Sequence, residues 1–323
     1  MSLTPQGTEQ AQAQALVGRR WRWRFAALAE RSRRYRISEI MVFLVPLLVF
    51  VVLLYGTLLW TIYVSFTNWD SINPNYTPTG LKWYEFLVQQ PRFWVDIKNN
   101  LLWLVLGVVP TTAIAVFLAY FLELVPFPKI EAYIRNLILY PVAMSFVVTG
   151  TIWSWMYEPQ RGVLNTLLRS IGFDPPFHYT TDPDTATYWL ILIFIWQYLG
   201  FAVIIVQSSL RTSDLFEMIE AATIDGASRL RILFSVVLPN IRAGLLVLVS
   251  LLLISTLKVF DIVFIVTYGG PGISTDVLAL NMWVTTFQQH LVSAGAGLAV
   301  IIFLMAFIIV IPYTIYAFRR WFE

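Results

Sequence analysis

The sequence lacks cysteine and has few charged residues. Without cysteine, the chain can form neither a disulfide framework nor a thiolate metal site. Charged residues make up 13% of the chain and hydrophobic residues 58%, whereas a soluble domain is usually about a quarter charged. The composition therefore excludes an ordinary soluble domain and indicates a membrane protein.

Histidine and lysine are also scarce, which limits the chemistry that the chain can perform. The two histidines, His178 and His290, fall in separate predicted loops without carboxylates at ligand spacing, so no metal site is expected. None of the four lysines follows a glycine, so the phosphate-binding pattern G-x-x-x-x-G-K-[ST] is absent. The sequence predicts no catalytic residue, and any ATP that drives the protein must bind another chain.

Long apolar runs dominate the rest of the chain. A helix needs about 20 apolar residues to cross a hydrocarbon core of ~30 Å. The runs lack the alternating pattern of barrel strands, so each is expected to be a helix. The sequence therefore predicts an all-α, polytopic membrane protein with six transmembrane helices, at about residues 40–66, 99–122, 135–156, 187–209, 243–267 and 294–317.

Basic residues indicate the orientation of these helices. One set of loops and termini carries sixteen Lys and Arg residues and the other carries five, and eight of the sixteen are arginines in residues 19–36. Because cytoplasmic loops are enriched in Lys and Arg, both termini are predicted to be cytoplasmic. Residues 67–98, 157–186 and 268–293 are then expected outside. No cleavable signal peptide is expected before the first run.

The arginine-rich tail, residues 1–38, precedes a predicted six-helix transmembrane domain at residues 39–323. Its arginines alternate with Trp21, Trp23 and Phe25, a pattern that nucleic-acid-binding segments also show. Its proximity to the first span favours an interfacial helix on the anionic inner leaflet. The tail is therefore expected to contact membrane lipid and no nucleic acid.

A polar segment, "EAATIDGASRLRILFSVVLP" at residues 220–239, interrupts the oily second half of the chain. It belongs to a predicted cytoplasmic loop at residues 210–242. Strong helix formers precede Gly226, which can end a helix or let the chain bend, and a second short helix is expected at residues 228–237. Polarity alone leaves open an ordinary solvated loop.

The spacing of this segment resembles the EAA signature of permease subunits in ATP-binding cassette importers. It has Glu-Ala-Ala, three residues, glycine, nine residues, and Val-x-Leu-Pro where Ile-x-Leu-Pro is usual. The resemblance implies the importer permease (MetI-like) fold, in which this loop docks on a cytoplasmic ATPase subunit. The implied coupling residues are Glu220, Ala221, Ala222, Asp225, Gly226, Leu238 and Pro239.

Two further segments resemble carbohydrate permeases of the maltose and α-glucoside type. They are "LKVFDIVFIVTYGGPGISTDVLAL" at residues 257–280 and "WSWMYEPQRGVLNTLLRSIG" at residues 153–172, with Tyr268 where a small or polar residue is more common. The resemblance implies a non-catalytic subunit in the inner membrane. The implied partners are a second permease, two ATPase subunits that bind ATP and Mg, and an external sugar-binding protein.

Lys258 and Asp261 are ionisable residues inside the fifth predicted span. A charge at the centre of a membrane costs about 2.5–3.5 kcal/mol on insertion scales. At spacing i, i+3 the two side chains are expected to share a helix face and to pair. Both a self-neutralised pair and a position beside a water-filled path remain open. Ser255 and Thr256 lie nearby, at positions that the resemblance places against the sugar.

The fourth predicted span contains "WQYLGFAVI", residues 196–204, similar to an aromatic-Leu-Gly-aromatic segment near the sugar site of the same permeases. Tyr198, Leu199 and Gly200 are therefore candidate residues of the substrate path, although aromatic residues in membrane helices also serve packing. The resulting hypothesis is a sugar importer permease for a neutral oligosaccharide such as maltose or trehalose. The alternative is an ion-coupled secondary transporter that uses Lys258 and Asp261, for which no inverted repeat is visible.

Overall fold

The computed structural model describes residues 40–173, 177–211 and 213–319. The described part is mainly helical and contains one isolated antiparallel bridge, between Thr67 and Pro78. The helices are α1 (Ile40–Ser65), α2 (Lys82–Gln89), α3 (Pro91–Glu123), α4 (Pro128–Leu139), α5 (Phe146–Met156), α6 (Val163–Ser170), α7 (Ala186–Leu210), α8 (Ser213–Ile224), α9 (Arg229–Asn240), α10 (Arg242–Leu257), α11 (Asp261–Val266), α12 (Leu278–Trp283) and α13 (Val292–Arg319).

The chain divides into two units, Met1–Trp60 and Thr61–Glu323. The described part of the first unit is residues 40–60 of α1, whose most apolar stretch is 0% buried. The predicted basic tail, residues 1–38, lies outside the described residues. The second unit holds the packed core and every candidate site residue.

Four helices, α1, α3, α7 and α13, are long and apolar enough to cross a membrane without a break. The other candidates are two bent helix pairs. Residues 128–143 meet α5 at 103°, and α9 meets α10 at 77°. Counting each pair as one span gives up to six, so the all-α prediction is confirmed. Within the fifth predicted span, residues 243–267, the helix is interrupted between Leu257 and Asp261.

Pro141 and a glutamine explain the first break. Proline has no N–H to continue a helix, and a short 3₁₀ turn, Tyr140–Ala143, ends α4 there. The Nε2 of Gln197 on α7 donates to the carbonyls of Pro141 at 2.8 Å and of Met144 at 2.9 Å. A neighbouring helix thus satisfies the carbonyls that the break leaves free, as burial in lipid requires.

A close contact among α3, α7 and α10 forms the centre of the second unit. The backbone of α3 widens into a π-helical turn at Trp103–Gly107. A Cβ atom on Gly107 would lie 2.9 Å from Cγ2 of Thr256 and 3.4 Å from Phe194. Only glycine permits this approach, so the close packing of α10 and α7 against α3 depends on that position.

Candidate functional site

A pocket opens at the break between α10 and α11. Phe194 and Tyr198 of α7 and Phe146 of α5 provide aromatic walls, and Ser255, Lys258 and Asp261 provide polar groups. The ring of Tyr198 lies 4.3 Å from that of Phe194 and 5.7 Å from that of Phe146. The pocket therefore combines apolar ring faces with a few hydrogen-bonding groups, as small-molecule sites do.

Four of the predicted path residues meet in this pocket: Tyr198, Ser255, Lys258 and Asp261. Tyr198 on α7 and Ser255 on α10 each bring a hydroxyl to the pocket. The other predicted path residues lie elsewhere.

Lys258 and Asp261 do not share a helix face, so the expectation that they pair is wrong. The α10 helix ends at Leu257 and α11 begins at Asp261, with Phe260 at φ −140°, ψ −59° between them. Among the described ion pairs within 4.0 Å, none joins the two side chains, and both are exposed. The helix break removes the i, i+3 geometry on which the pairing argument depended.

Thr256 does not line the pocket, and its assignment to the substrate path stays a prediction. Its side chain is 0% exposed, and its hydroxyl donates to the carbonyls of Leu252 and Leu253, both at 3.0 Å. Its methyl group packs near Gly107, as described above. Ser255 lines the pocket, whereas Thr256 does not.

Gly200 and Leu199 also serve packing. Gly200 is buried, and a Cβ atom there would lie 2.4 Å from the carbonyl oxygen of Ile138 and 3.0 Å from Cα of Leu139. The close approach that this glycine permits is therefore to the end of α4. Leu199 packs against the main hydrophobic core.

The coupling segment predicted from the sequence forms two helices joined by a tight turn. Gly226 has φ +77° and follows α8. The N–H of Ala227 donates to Ala222 at 3.0 Å and the N–H of Gly226 donates to Thr223 at 3.0 Å. These bonds make a Schellman cap, which places a left-handed residue after the helix. The prediction that Gly226 ends the helix is confirmed.

Most of the predicted coupling residues are on the surface of this lobe, defined as residues 213–240. Glu220, Ala221, Asp225, Gly226 and Pro239 are exposed. Ala222 and Leu238 are half-buried and pack against the core. The exposed residues can contact another chain, while the half-buried residues hold the segment against the core. This arrangement suits a docking surface.

The lobe is attached to α3 by a hydrogen bond and is held in place by buried side chains. Ser228 begins α9 and accepts a hydrogen bond from the N–H of Arg231 at 3.4 Å. The hydroxyl of Tyr120 on α3 donates to the carbonyl of Arg229 at 3.1 Å. Leu215 and Leu233 are buried at 2% and 0% exposure. A displacement of the lobe would therefore move α3.

A charged cluster that sequence reasoning missed lies at the ends of α3, α4 and α7. Nε of Arg211 lies 2.9 Å from Oε1 of Glu123, and Nη2 of Arg211 lies 3.2 Å from Oε1 of Glu131. Arg135 also pairs with Glu131, one turn away on α4. The spacing of Glu131 and Arg135 was visible in the sequence, but the contact with Arg211 depends on tertiary packing.

A second missed cluster, buried and polar, joins α3 to the loop after α11. Asp96 and Asp276 are both 0% exposed. Arg92 pairs with Asp276, and Asn281 donates to Asp96 at 2.6 Å. The amide of Asn99 donates to the carbonyl of Asp276 at 2.7 Å. Sequence reasoning treated residues 67–98 as a loop, whereas α2 and the first turns of α3 occupy much of that range.

The electrostatics of this cluster depend on Arg92. Burial raises the pKa of the Asp276 carboxyl, and the Arg92 guanidinium opposes that shift. A buried carboxylate is costly unless it is paired and hydrogen-bonded. The cluster thus fixes the loop at residues 267–277 to the N-terminal end of α3.

The described residues contain no group of three or more His, Cys, Asp or Glu side chains arranged to hold a metal ion. His178 and His290 are exposed, and His178 is within 3.2 Å of the Thr181 hydroxyl.

Comparison with known proteins places the fold. A family model described as "Binding-protein-dependent transport system inner membrane component" matches residues 87–322. A probable ABC transporter permease protein of Pyrococcus horikoshii is 37% identical over 88% of this chain and 97% of its own length. The alpha-glucoside transport system permease protein of Rhizobium meliloti is 32% identical over 75% of this chain and 70% of its own length.

Among solved structures, a chain of a bacterial alginate ABC transporter, crystallised in complex with an alginate pentasaccharide-bound periplasmic protein, superposes with a TM-score of 0.74. The match covers 85% of this chain and 92% of that chain at 21% identity. The predicted importer permease (MetI-like) fold is thereby confirmed.

Proposed function

We propose a role in sugar uptake for this chain, which belongs to the family of binding-protein-dependent transport system inner membrane components. It is a non-catalytic permease subunit of an ATP-binding cassette importer, and the ATPase is a separate chain. Its substrate is a neutral oligosaccharide, of which an α-glucoside such as maltose or trehalose is the favoured case. The alpha-glucoside named for the Rhizobium meliloti relative supports this class.

The observation that carries the proposal is the composition of the pocket at the α10–α11 break. Lys258 and Asp261 contribute one charge of each sign, and Tyr198 and Ser255 contribute hydroxyls. An anionic substrate is expected to need an excess of cationic groups, whereas this set balances. Aromatic walls and hydrogen-bonding groups without net charge suit a neutral polyol.

The proposed assembly contains a second permease, two ATPase subunits and an external binding protein. The lobe at residues 213–240 is the proposed contact with an ATPase, because its exposed surface carries the coupling pattern and its buried surface is attached to α3. Closure of the ATPases would then open the path outward by alternating access. Family membership favours this mechanism over an ion-coupled transporter, and the absence of a Lys258–Asp261 pair removes the coupling pair on which that alternative depended.

Both termini are proposed to be cytoplasmic, supported by the distribution of Lys and Arg. The chain has no cysteine, so a single introduced cysteine reports on one position. A cysteine at Ser71 is expected to react with an impermeant reagent added to intact cells. Protection of that cysteine until the membrane is permeabilised would contradict the orientation.

Charge-neutralising variants of the pocket test the substrate class. Lys258→Gln and Asp261→Asn should each raise the apparent KM for a neutral sugar by roughly 10- to 150-fold, since a hydrogen bond to a charged group contributes about 1.5–3 kcal/mol. Uptake is measured in vesicles that hold the assembled transporter and its binding protein. Thr256→Val is the matched control, because its hydroxyl does not reach the pocket, and its apparent KM should stay near that of the wild type.

An acidic sugar would respond differently to the same variants. Removal of the Asp261 carboxylate would then improve uptake, while removal of the Lys258 ammonium would impair it. That opposite pair of changes, or selective transport of an amino acid or peptide, would refute the neutral-sugar proposal.

A further inference from the structure

Five aromatic side chains form a continuous series beside the pocket, which we call the aromatic ladder: Phe260, Phe264, Tyr268, Trp283 and Phe287. Ring centroids are 5.1 Å apart between Phe260 and Phe264, and 5.2 Å apart between Phe264 and Tyr268. Trp283 lies 5.1 Å from Phe264, and Phe287 lies 6.2 Å from Trp283. None of these residues belonged to the predicted substrate path.

The ladder begins inside the pocket. Phe260 lines the pocket together with Lys258 and Asp261, and the latter two are exposed. A charged side chain that faces hydrocarbon costs several kcal/mol, so this face of the chain is directed toward water or a protein partner rather than lipid. The ring of Phe264 contacts that of Phe260, and the ring of Tyr268 contacts that of Phe264.

One end of the ladder, Tyr268, has a strained backbone conformation. Tyr268 has φ +53°, a left-handed value that is uncommon for a bulky residue. Its N–H donates to the carbonyl of Val263 at 2.8 Å, and its hydroxyl accepts a hydrogen bond from Gln288. Strained backbone of this kind persists only where its surroundings hold it, and it clusters at functional sites.

The outer rings nevertheless remain accessible. Tyr268 is 47% exposed and Phe287 is 62% exposed. Trp103 of the packed core, by contrast, is 0% exposed. The ladder thus leads from a polar pocket to an open aromatic surface.

We propose that the aromatic ladder binds the apolar ring faces of a sugar chain and guides its pyranose units between the outer side of the permease and the pocket. This inference rests on the proposed function and extends it from one pocket to a path. A pyranose presents C–H groups on its ring face, which pack on an aromatic ring, while its hydroxyls stay in water. Several rings in series offer more than one such surface, which suits a substrate of several units.

Leucine substitutions test the ladder because leucine keeps apolar bulk and removes the ring. In vesicles with the complete transporter and binding protein, Phe264→Leu and Phe287→Leu should raise the apparent KM several-fold for maltotriose and less for maltose. Phe264→Tyr restores a ring and should recover most of the loss. Phe307→Leu is the matched control, since Phe307 is 53% exposed and pairs with Phe303 outside the ladder.

The outcomes distinguish failure of the ladder proposal from failure of the sugar-uptake proposal on which it rests. Neutral-sugar uptake by the wild type with unchanged kinetics in both leucine variants would overturn the ladder alone. Loss of co-purification of the partner subunits in those variants would show that the rings pack against a partner, which also overturns it. A wild type that transports no neutral sugar would overturn both proposals.

Discussion

Substitution of Gly226 offers a direct test of the coupling lobe. Gly226 has φ +77°, and a Cβ atom at this position would meet nothing within 4 Å. The effect of a small substitution is therefore conformational rather than steric. A left-handed conformation costs an ordinary residue roughly 1–2 kcal/mol, which corresponds to about a 5–30-fold change in a local equilibrium. Asparagine tolerates this conformation better than most residues, and β-branched valine tolerates it least.

We therefore expect a graded series in the assembled transporter. Gly226→Asn should retain most uptake, Gly226→Ala should lose a large part of it, and Gly226→Val should abolish it while the protein remains in the membrane. Uptake and ATP hydrolysis stimulated by the loaded binding protein are measured on the same vesicles. Glu220→Lys is the companion variant, because it changes the exposed charge without straining the backbone, and it should weaken co-purification of the ATPase.

The order of the series decides the interpretation. Equal loss in the asparagine, alanine and valine variants would show that any side chain at this position disturbs the docking surface, and that strain is not the cause. Normal uptake and normal ATPase stimulation in Gly226→Val would refute the reasoning, because the shape of the lobe would then be irrelevant to transport.

Two further variants probe the packing of Gly200 and the buried polar cluster around Asp276. Gly200→Ala should lower stability by about 1–3 kcal/mol, since its Cβ would press on the Ile138 carbonyl; an unchanged melting temperature in detergent would contradict this packing. Arg92→Met should lower stability at neutral pH by about 1–3 kcal/mol, less than for a fully buried pair because Arg92 is partly exposed. Burial already raises the pKa of Asp276, so loss of the guanidinium raises it further, and the deficit should shrink as acidification protonates the carboxyl. A deficit that is independent of pH would contradict the electrostatic account.

The sequence by itself determined the transmembrane helices and the helix end at Gly226, because both depend on interactions within one segment. Apolar runs predict helices in lipid because each span must satisfy its own backbone. The same holds for Gly226, where a glycine after strong helix formers ends a helix through bonds within a few residues. The EAA pattern identified the family correctly because all its residues lie within one segment of the sequence.

Tertiary structure alone decided which side chains reach the pocket. Ser255 and Thr256 are neighbours with similar chemistry, yet one lines the pocket and the other is held against Gly107 by the packing of α10 on α3. Likewise, Gly200 contacts Ile138, on a helix that precedes it by about sixty residues. Sequence periodicity gives the angle between residues on one helix, but not which face meets a neighbour.

The break between Leu257 and Asp261 and the cluster around Asp276 show the same limit. An apolar run with two charges favours a continuous helix with a paired Lys258 and Asp261, because insertion energies concern one helix at a time. In a folded chain, polar groups on neighbouring elements can satisfy the backbone N–H and C=O groups that a helix break leaves free. Arg92 and Asp276 are 184 residues apart in the sequence, and only the return of the chain to α3 brings the cation to the buried carboxylate.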